Sequence, residues 1–173
     1  MTLRLLPWQS EYGASLSYDM DENETLVEPI DVTIEQEKWD VITVKNSTRI
    51  PAQIIDGVRR AEMYVVQDDP IDGTFFGLFG SLAVGAVLCE EKANILEDTI
   101  RVERLYLHSG KSFPSITIDE DGSAMQFKSQ RILDATSATS SLYSLQQRML
   151  DAEAHLSSEL SRDESKITFV DGP

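Results

Sequence analysis

Cysteine is nearly absent from this sequence: Cys89 is the only one among 173 residues, so no disulfide can form within the chain. Cys89 lies in an apolar stretch, which indicates a buried thiol in a reducing compartment. Long apolar runs are absent too, since none approaches the roughly 20 residues of a membrane-spanning helix. The first residues turn polar too soon for a signal peptide. These absences predict a cytoplasmic protein with no membrane partner.

Basic residues are scarce, with 15 lysines and arginines against 30 aspartates and glutamates, a net charge of −15. Nucleic-acid binding depends on neutralising phosphates, so this balance argues against a protein that coats nucleic acid. Residues 11–40, however, carry ten acidic side chains and one lysine, whereas residues 101–112 carry three basic side chains and one glutamate. We therefore expect an acidic N-terminal region over residues 1–48 and a core domain over residues 49–173.

Strand-like patterns dominate the first part of that core. Residues 52–66 are rich in apolar and β-branched side chains, and turn formers follow at residues 68–73. Residues 74–88 are apolar and spaced by glycines, which favours a buried, bent strand. Residues 99–108 alternate between apolar and charged side chains, as a further strand would. Another turn is expected at residues 119–122.

A helical pattern follows the strands. From about Ser129 to Leu160, apolar side chains recur at helical spacing, at Leu142, Leu145, Met149, Leu156 and Leu160. Residues 161–165 break this pattern, and residues 166–171 resemble a short strand. The order strand, strand, strand, long helix, strand predicts an α/β domain with a mixed or largely antiparallel sheet and one long helix packed on it.

Two short strand-like runs, residues 54–57 and 169–172, each end in an aspartate followed by glycine, at Asp56–Gly57 and at Asp171–Gly172. An aspartate is a poor strand residue and is costly to bury unpaired. A single Asp-Gly pair usually marks only a turn. When two such pairs lie on strands that a sheet could place side by side, a functional site and two ordinary turns are equally good interpretations. The glycines would let a ligand or another backbone come close.

The predicted helix supplies a third carboxylate. Glu153 lies four residues after Met149 and three before Leu156, so it points toward the core. A carboxylate there needs a partner, and a shared divalent cation would provide one. The alternative is that Glu153 lies at the edge of the apolar stripe and pairs with Arg148 or Arg162.

Asp56, Glu153 and Asp171 would together select a hard cation such as Mn²⁺ or Mg²⁺. Such a cation polarises a phosphoryl oxygen and lowers the pKa of an attacking water, which is the chemistry of phosphodiester hydrolysis. His108 and His155 could assist as ligands or proton carriers, although a lone surface histidine is the simpler interpretation of each.

Three segments resemble the NurA family of DNA nucleases: Ile-Asp-Gly-Val-Arg-Arg-Ala-Glu at residues 55–62, Gly-Ser-Leu-Ala-Val-Gly at residues 80–85, and Phe-Val-Asp-Gly-Pro at residues 169–173. The resemblance covers about residues 50–173. It implies a ribonuclease-H-like core and a manganese-dependent DNA nuclease of the 5′–3′ exonuclease and endonuclease type. It also implies a homodimer that docks on the hexameric ATPase HerA during end resection of DNA double-strand breaks.

In that family an aspartate on the first core strand, a glutamate on a helix and an aspartate on a later strand bind the metal. By resemblance these positions fall on Asp56, Glu153 and Asp171. The neighbouring Arg59 and Arg60 could face phosphate, because guanidinium groups match phosphate oxygens. An ordinary solvated or salt-bridged pair is the other interpretation of the two arginines.

Members of the family continue beyond the segment that matches residues 169–173, into further sheet and helices. We therefore expect this sequence to correspond to the N-terminal part of such a protein, truncated on the C-terminal side of the core. A rival interpretation, favoured by the net charge of −15, is a non-catalytic ribonuclease-H-like module that docks on a partner ATPase or on its own copy.

Overall fold

The structure is a computed structural model, and it describes residues 2–6, 49–69, 73–110, 113–133 and 137–170. These residues form a mixed α/β fold in which a curled, mixed sheet packs against one helix. The elements in chain order are β1 (Thr2–Leu5), β2 (Ala52–Asp69), β3 (Gly73–Cys89), β4 (Ala93–His108), β5 (Ile116–Glu120), β6 (Ser123–Arg131), α1 (Ala138–Leu160) and β7 (Ile167–Val170). Most of the acidic region assigned to residues 1–48 lies outside the described residues. Its described part, β1, pairs with β2.

Strands β2, β3 and β4 form a long antiparallel meander, which confirms the three strands expected from the sequence. β2 and β3 pair along their whole lengths, from Ala52 opposite Cys89 to Asp69 opposite Gly73. Between β3 and β4 the register shifts at Gly85, where residues 97–100 of β4 bulge out of the ladder. Thr99 closes this bulge, because its hydroxyl accepts a 2.9 Å hydrogen bond from Ala86 N and donates a 2.6 Å bond to Leu96 O. β4 begins at Ala93, before the bulge, whereas the sequence predicted a strand only over residues 99–108.

Strands β5 and β6 form a hairpin that the sequence did not predict. Its turn contains Asp121 and Gly122, both at positive φ (50° and 81°), within the turn expected at residues 119–122. β6 extends to Arg131 and runs parallel to the end of β4. The helix expected from about Ser129 therefore begins only at Ala138, where the Ser137 side chain accepts a 3.2 Å hydrogen bond from Ser140 N.

Strand β7 joins the sheet beside β2 and runs parallel to it. The strand order is β1-β2-β3-β4-β6-β5, with β7 also on β2. α1 covers one face of the meander with the apolar stripe predicted for it, including the buried Leu145, Met149 and Leu156. A second cluster, under the β5–β6 hairpin, consists of Val65, Phe79, Tyr106 and Phe127. The two cores lie on different parts of the same sheet, because the strands are long enough to curl.

Within the described ranges, no helix has both the length and the apolar character needed to cross a lipid bilayer.

Candidate metal centre

The alternation of side chains along β2 decides which of its residues meet α1. Ile55 and Arg59 are buried on the face that the helix covers, and Gly57 lies between them on that face. Ile54 and Val58, with exposed fractions of 47% and 54%, point to the opposite face. Because successive strand residues alternate between faces, the register of β2 fixes a different environment for each candidate ligand.

Glu153 is buried against β2, with only 3% of its surface exposed. A Cβ atom built on Gly57 would collide with Glu153 Oε1 and would lie 3.1 Å from its Cδ and 3.0 Å from Met149 Cγ. The carboxylate therefore occupies space that any other residue at position 57 would fill. This burial confirms that Glu153 points to the core rather than to solvent. The alternative pairing with Arg148 has a competitor, because Arg148 forms a 3.3 Å ion pair with Glu103.

The expectation that Asp56 ends a strand was wrong, because β2 continues through Asp56 from Ala52 to Asp69. Asp56 is exposed and belongs to the other face of β2. Its Oδ1 accepts a 3.0 Å hydrogen bond from Gly57 N, and in the sheet it lies opposite Gly85 of β3. Gly57, which contacts Glu153, follows Asp56 in the sequence. The two residues nevertheless belong to opposite faces of β2, because successive strand residues alternate between faces. The carboxylates of Asp56 and Glu153 therefore lie on opposite faces of β2, at neighbouring positions along the strand.

The part of the chain that the structure describes leaves one edge of β2 without a strand partner at that level. The parallel pairing with β7 runs from Ala52 opposite Ile167 to Ile55 opposite Val170, and β1 joins β2 only at Val65. Among the described strands, none pairs with the stretch between these two partners on the side away from β3. Over the described residues, β2 therefore has no strand partner on this side beside Asp56.

Asp171 lies outside the described residues. The last described pair of the parallel ladder joins Ile55 and Val170, which precede Asp56 and Asp171 in sequence. Over the part of the chain that the structure describes, no three His, Cys, Asp or Glu side chains are grouped closely enough to hold a metal ion. That part includes Asp56 and Glu153 but not the third predicted ligand.

The donor chemistry of these residues fits a divalent cation. Carboxylate oxygens are the ligands that Mn²⁺ and Mg²⁺ prefer, and Glu153 sits in a cradle that a Cβ at position 57 would fill. Asp56 adds a second carboxylate from the neighbouring position. The fit is one of donor chemistry and of neighbouring positions along the strand.

The two arginines after Gly57 have different surroundings. Arg59 is buried on the α1 side, where its Nε donates a hydrogen bond to Gln146 Oε1. Gln146 precedes Glu153 by seven residues, two helical turns, so both lie on the helix face that meets β2. Arg60 belongs to the face of Asp56, and its Nε forms a 3.2 Å ion pair with Glu62. The salt-bridged interpretation therefore describes Arg60. Sequence reasoning missed the contact between Arg59 and Gln146, although the helical spacing of Gln146 could have indicated it.

The two histidines also differ. His108 is buried beneath the β5–β6 hairpin, and its Nε2 lies 2.8 Å from Ser129 Oγ. The expectation of a surface position was therefore wrong for His108, because β6 was not predicted to cover the end of β4. Burial lowers the pKa of His108, and the charge of Arg131 lowers it further, against a hydrogen bond at the Gly110 backbone that raises it. His155 is exposed, as expected, and pairs with Glu159 at 3.1 Å.

The sequence matches no model of a known protein family, and no curated protein matches it significantly.

Proposed function

We propose that this chain carries the core of a metal-dependent DNA nuclease of the NurA type, with a ribonuclease-H-like fold. One observation supports the proposal above all. The carboxylate of Glu153 is buried against Gly57, the residue next to Asp56 on β2. Carboxylate oxygens are the ligands that Mn²⁺ and Mg²⁺ prefer, and a divalent cation is a ligand that both acidic residues could share.

The order of the elements agrees with what the resemblance implies. Asp56 lies on β2, the first strand of the antiparallel meander; Glu153 lies on the helix that follows the meander; and Asp171 follows β7, which is parallel to β2. Strand, helix and strand thus follow one another along the chain in the order that the resemblance assigns to the elements of the three ligands. This order supports a ribonuclease-H-like core more specifically than a mixed α/β fold alone does.

The residues would divide the work of phosphodiester hydrolysis. Asp56, Glu153 and Asp171 would hold Mn²⁺ or Mg²⁺, which when bound supplies Lewis-acid catalysis and an activated water. Asp56 lies on the exposed face of β2, where a DNA backbone has access, whereas Glu153 is anchored by the helix. Arg60, on the face of Asp56, is the better placed of the two arginines to contact phosphate, because Arg59 is buried under α1.

By the same resemblance, the proposed biological setting is end resection of DNA double-strand breaks, with a HerA-like hexameric ATPase as the partner and a homodimer as the working form. The acidic net charge of −15 fits a nuclease whose DNA is delivered by a partner better than one that captures DNA by long-range attraction.

A nuclease assay tests the proposal. Linear single- and double-stranded DNA would be incubated with the protein and Mn²⁺, with EDTA as the metal-free control. Asp56→Asn and Glu153→Gln should each reduce hydrolysis by about 100-fold or more, since even indirect partners of a metal typically contribute about 10–100-fold. Asp151→Asn is the matched control, because Asp151 is an exposed acid on the same helix, bonded to Gln147. Equal activity of all four proteins, or activity that persists in EDTA, would contradict the proposal.

A second candidate function has its own support in the uncovered face of the meander. Apolar side chains are exposed on this face and on the adjoining β7, at Ile54, Val58, Ile100, Val102 and Phe169. Such surfaces often mark contacts with other proteins. The corresponding function is a non-catalytic module that docks on a partner ATPase. It predicts no hydrolysis and no effect of Mn²⁺ on stability, together with binding to the ATPase that Val102→Asp abolishes.

A further inference from the structure

Gly57 differs from the other glycines of the meander in what approaches it. A Cβ at Gly80 would meet the Leu145 side chain, one at Gly77 would meet Tyr106 and Val65, and one at Gly85 would lie 3.6 Å from Ile100 Cγ1. At Gly57 the nearest atom is instead a carboxylate oxygen, Glu153 Oε1. Three of these glycines admit apolar side chains, and the fourth admits a charged one.

We infer that Gly57 is a positioning residue, whose missing side chain sets the carboxylate of Glu153 against β2 at the level of Asp56. The contact itself stands without any assumption about activity. Its importance for a cation rests on the proposed function. The sequence suggested that glycine after Asp56 would admit a ligand or another backbone; the structure shows the end of a side chain in that space.

The backbone turn of α1 near Gly57 carries a second close side chain. Met149 Cγ lies 3.0 Å from the same Cβ position, so the helix turn that carries both Met149 and Glu153 meets Gly57. An alanine methyl at position 57 would therefore move the carboxylate, the helix turn, or both. Metal ligands tolerate displacements of only about 0.5 Å. The inference thus predicts weaker metal binding in Gly57→Ala even if the protein remains folded.

Glu153→Asp provides the compensating change. Aspartate is shorter by one methylene, so its carboxylate withdraws from the space that the alanine methyl requires. Gly57→Ala and Glu153→Asp should each lower the thermal stability, whereas the double variant should be more stable than Gly57→Ala alone. Such non-additivity is expected of residues in contact and not of distant, independent ones. Gly85→Ala is the matched control, because it adds the same methyl group opposite Asp56 at an ordinary contact distance.

The experiment has two measurements on the same four variants. Thermal denaturation in EDTA reports the packing, and the electron paramagnetic resonance signal of free Mn²⁺ reports metal affinity. We expect Gly57→Ala to bind Mn²⁺ about 10–100-fold more weakly than the wild type, as changes to a ligand's support do, and Gly85→Ala to match the wild type. If Gly57→Ala fails to fold, recovery of folding in the double variant supports the contact, and failure of both overturns it.

Failure of this inference can be told apart from failure of the proposed function. Wild-type binding of Mn²⁺ with equal affinity in Gly57→Ala would overturn the positioning role and leave the proposed metal site intact. No binding of Mn²⁺ by the wild type would refute the metal site. In that case the role of Gly57 toward a cation falls with it, and the melting temperatures still decide the contact: additive effects of the two substitutions overturn it.

Discussion

On one face of the β2–β4 meander, Ile55 and Leu82 are buried beneath α1, whose Leu145 is buried as well. On the other face, Ile54, Val58 and Val102 remain about half exposed. Both faces are apolar, so composition does not distinguish them. Coverage does. The covered face holds the side chains whose packing stabilises the fold, and it fixes Glu153 from below β2. The uncovered face presents Asp56 and its surroundings to solvent, where a substrate or a partner has access.

The uncovered face ends where the hairpin begins. Toward the end of β4 the same side of the sheet carries Phe79 and Tyr106, whose rings stack at 4.6 Å and are covered by Phe127 of β6. The hairpin thus covers the end of this face that lies away from Asp56. The buried side chains that stabilise the fold and the exposed surface around Asp56 thus lie at different positions along the strands as well as on different faces.

The largest difference between the faces should appear when an apolar side chain is truncated on each. Leu145→Ala removes a fully buried side chain and should lower the free energy of unfolding by about 2–5 kcal/mol. Val102→Ala, on the uncovered face, should cost less than about 1 kcal/mol, because half of its surface already meets water. Urea denaturation measures both. Equal losses would mean that something covers the second face in solution.

Added volume should give a smaller effect of the same kind. Gly80→Ala places a Cβ 2.6 Å from Leu145 Cδ2, so the helix side chain must move, at a cost of about 1–3 kcal/mol. Gly85→Ala on the other face has room for its methyl group and should change stability by less than about 0.5 kcal/mol. A thermal melt of each variant tests the contrast. A destabilised Gly85→Ala with an unaffected Gly80→Ala would reverse the assignment of the faces.

The stability of the region beneath the β5–β6 hairpin should decrease in mild acid, because this region contains the buried His108. Burial lowers the pKa of His108 below its ordinary value of about 6.5, so the unfolded chain takes up this proton first. Its contribution to stability is complete above pH 6.5 and is lost as the pH falls below that value. The melting temperature should therefore decrease between pH 7.5 and 5.5. His108→Gln should flatten this decrease, and His155→Gln, at an exposed site, should not.

Ion pairs at the border between α1 and β4 should have the smallest effect. Glu103 pairs with Arg148 at 3.3 Å, and both side chains are partly exposed. Glu103→Gln should change the free energy of unfolding by less than about 1 kcal/mol, and added salt should reduce even that difference. A larger loss in urea denaturation at 0.5 M salt would show that this border contributes to the core after all.

The sequence predicted the meander and the helix because their signals are local. Apolar and β-branched content identifies β2 and β3, and the spacing of Leu145, Met149 and Leu156 identifies α1. The hairpin was missed because β5 is short and β6 is rich in polar residues, so that only their turn, at Asp121 and Gly122, gives a strong local signal. That omission led to the early helix start and to the wrong surface position for His108.

The candidate site was predictable only in part, for a physical reason. Helical periodicity places Glu153 toward the core whatever the helix packs against. The face of Asp56, in contrast, depends on which side of the sheet α1 covers, and a shift of one residue would exchange the faces of β2. That choice is made by tertiary packing. The space beside Gly57 is likewise visible only once the helix and the strand are brought together.

A crystal soaked with Mn²⁺ tests the central claim most directly, by the anomalous scattering of the metal. The account predicts a peak at the edge of β2, with carboxylate oxygens of both Asp56 and Glu153 within about 2.0–2.6 Å of it. A saturated crystal with no peak there, while Asp56 and Glu153 remain on opposite faces of the strand, would contradict the claim that the two carboxylates share a cation.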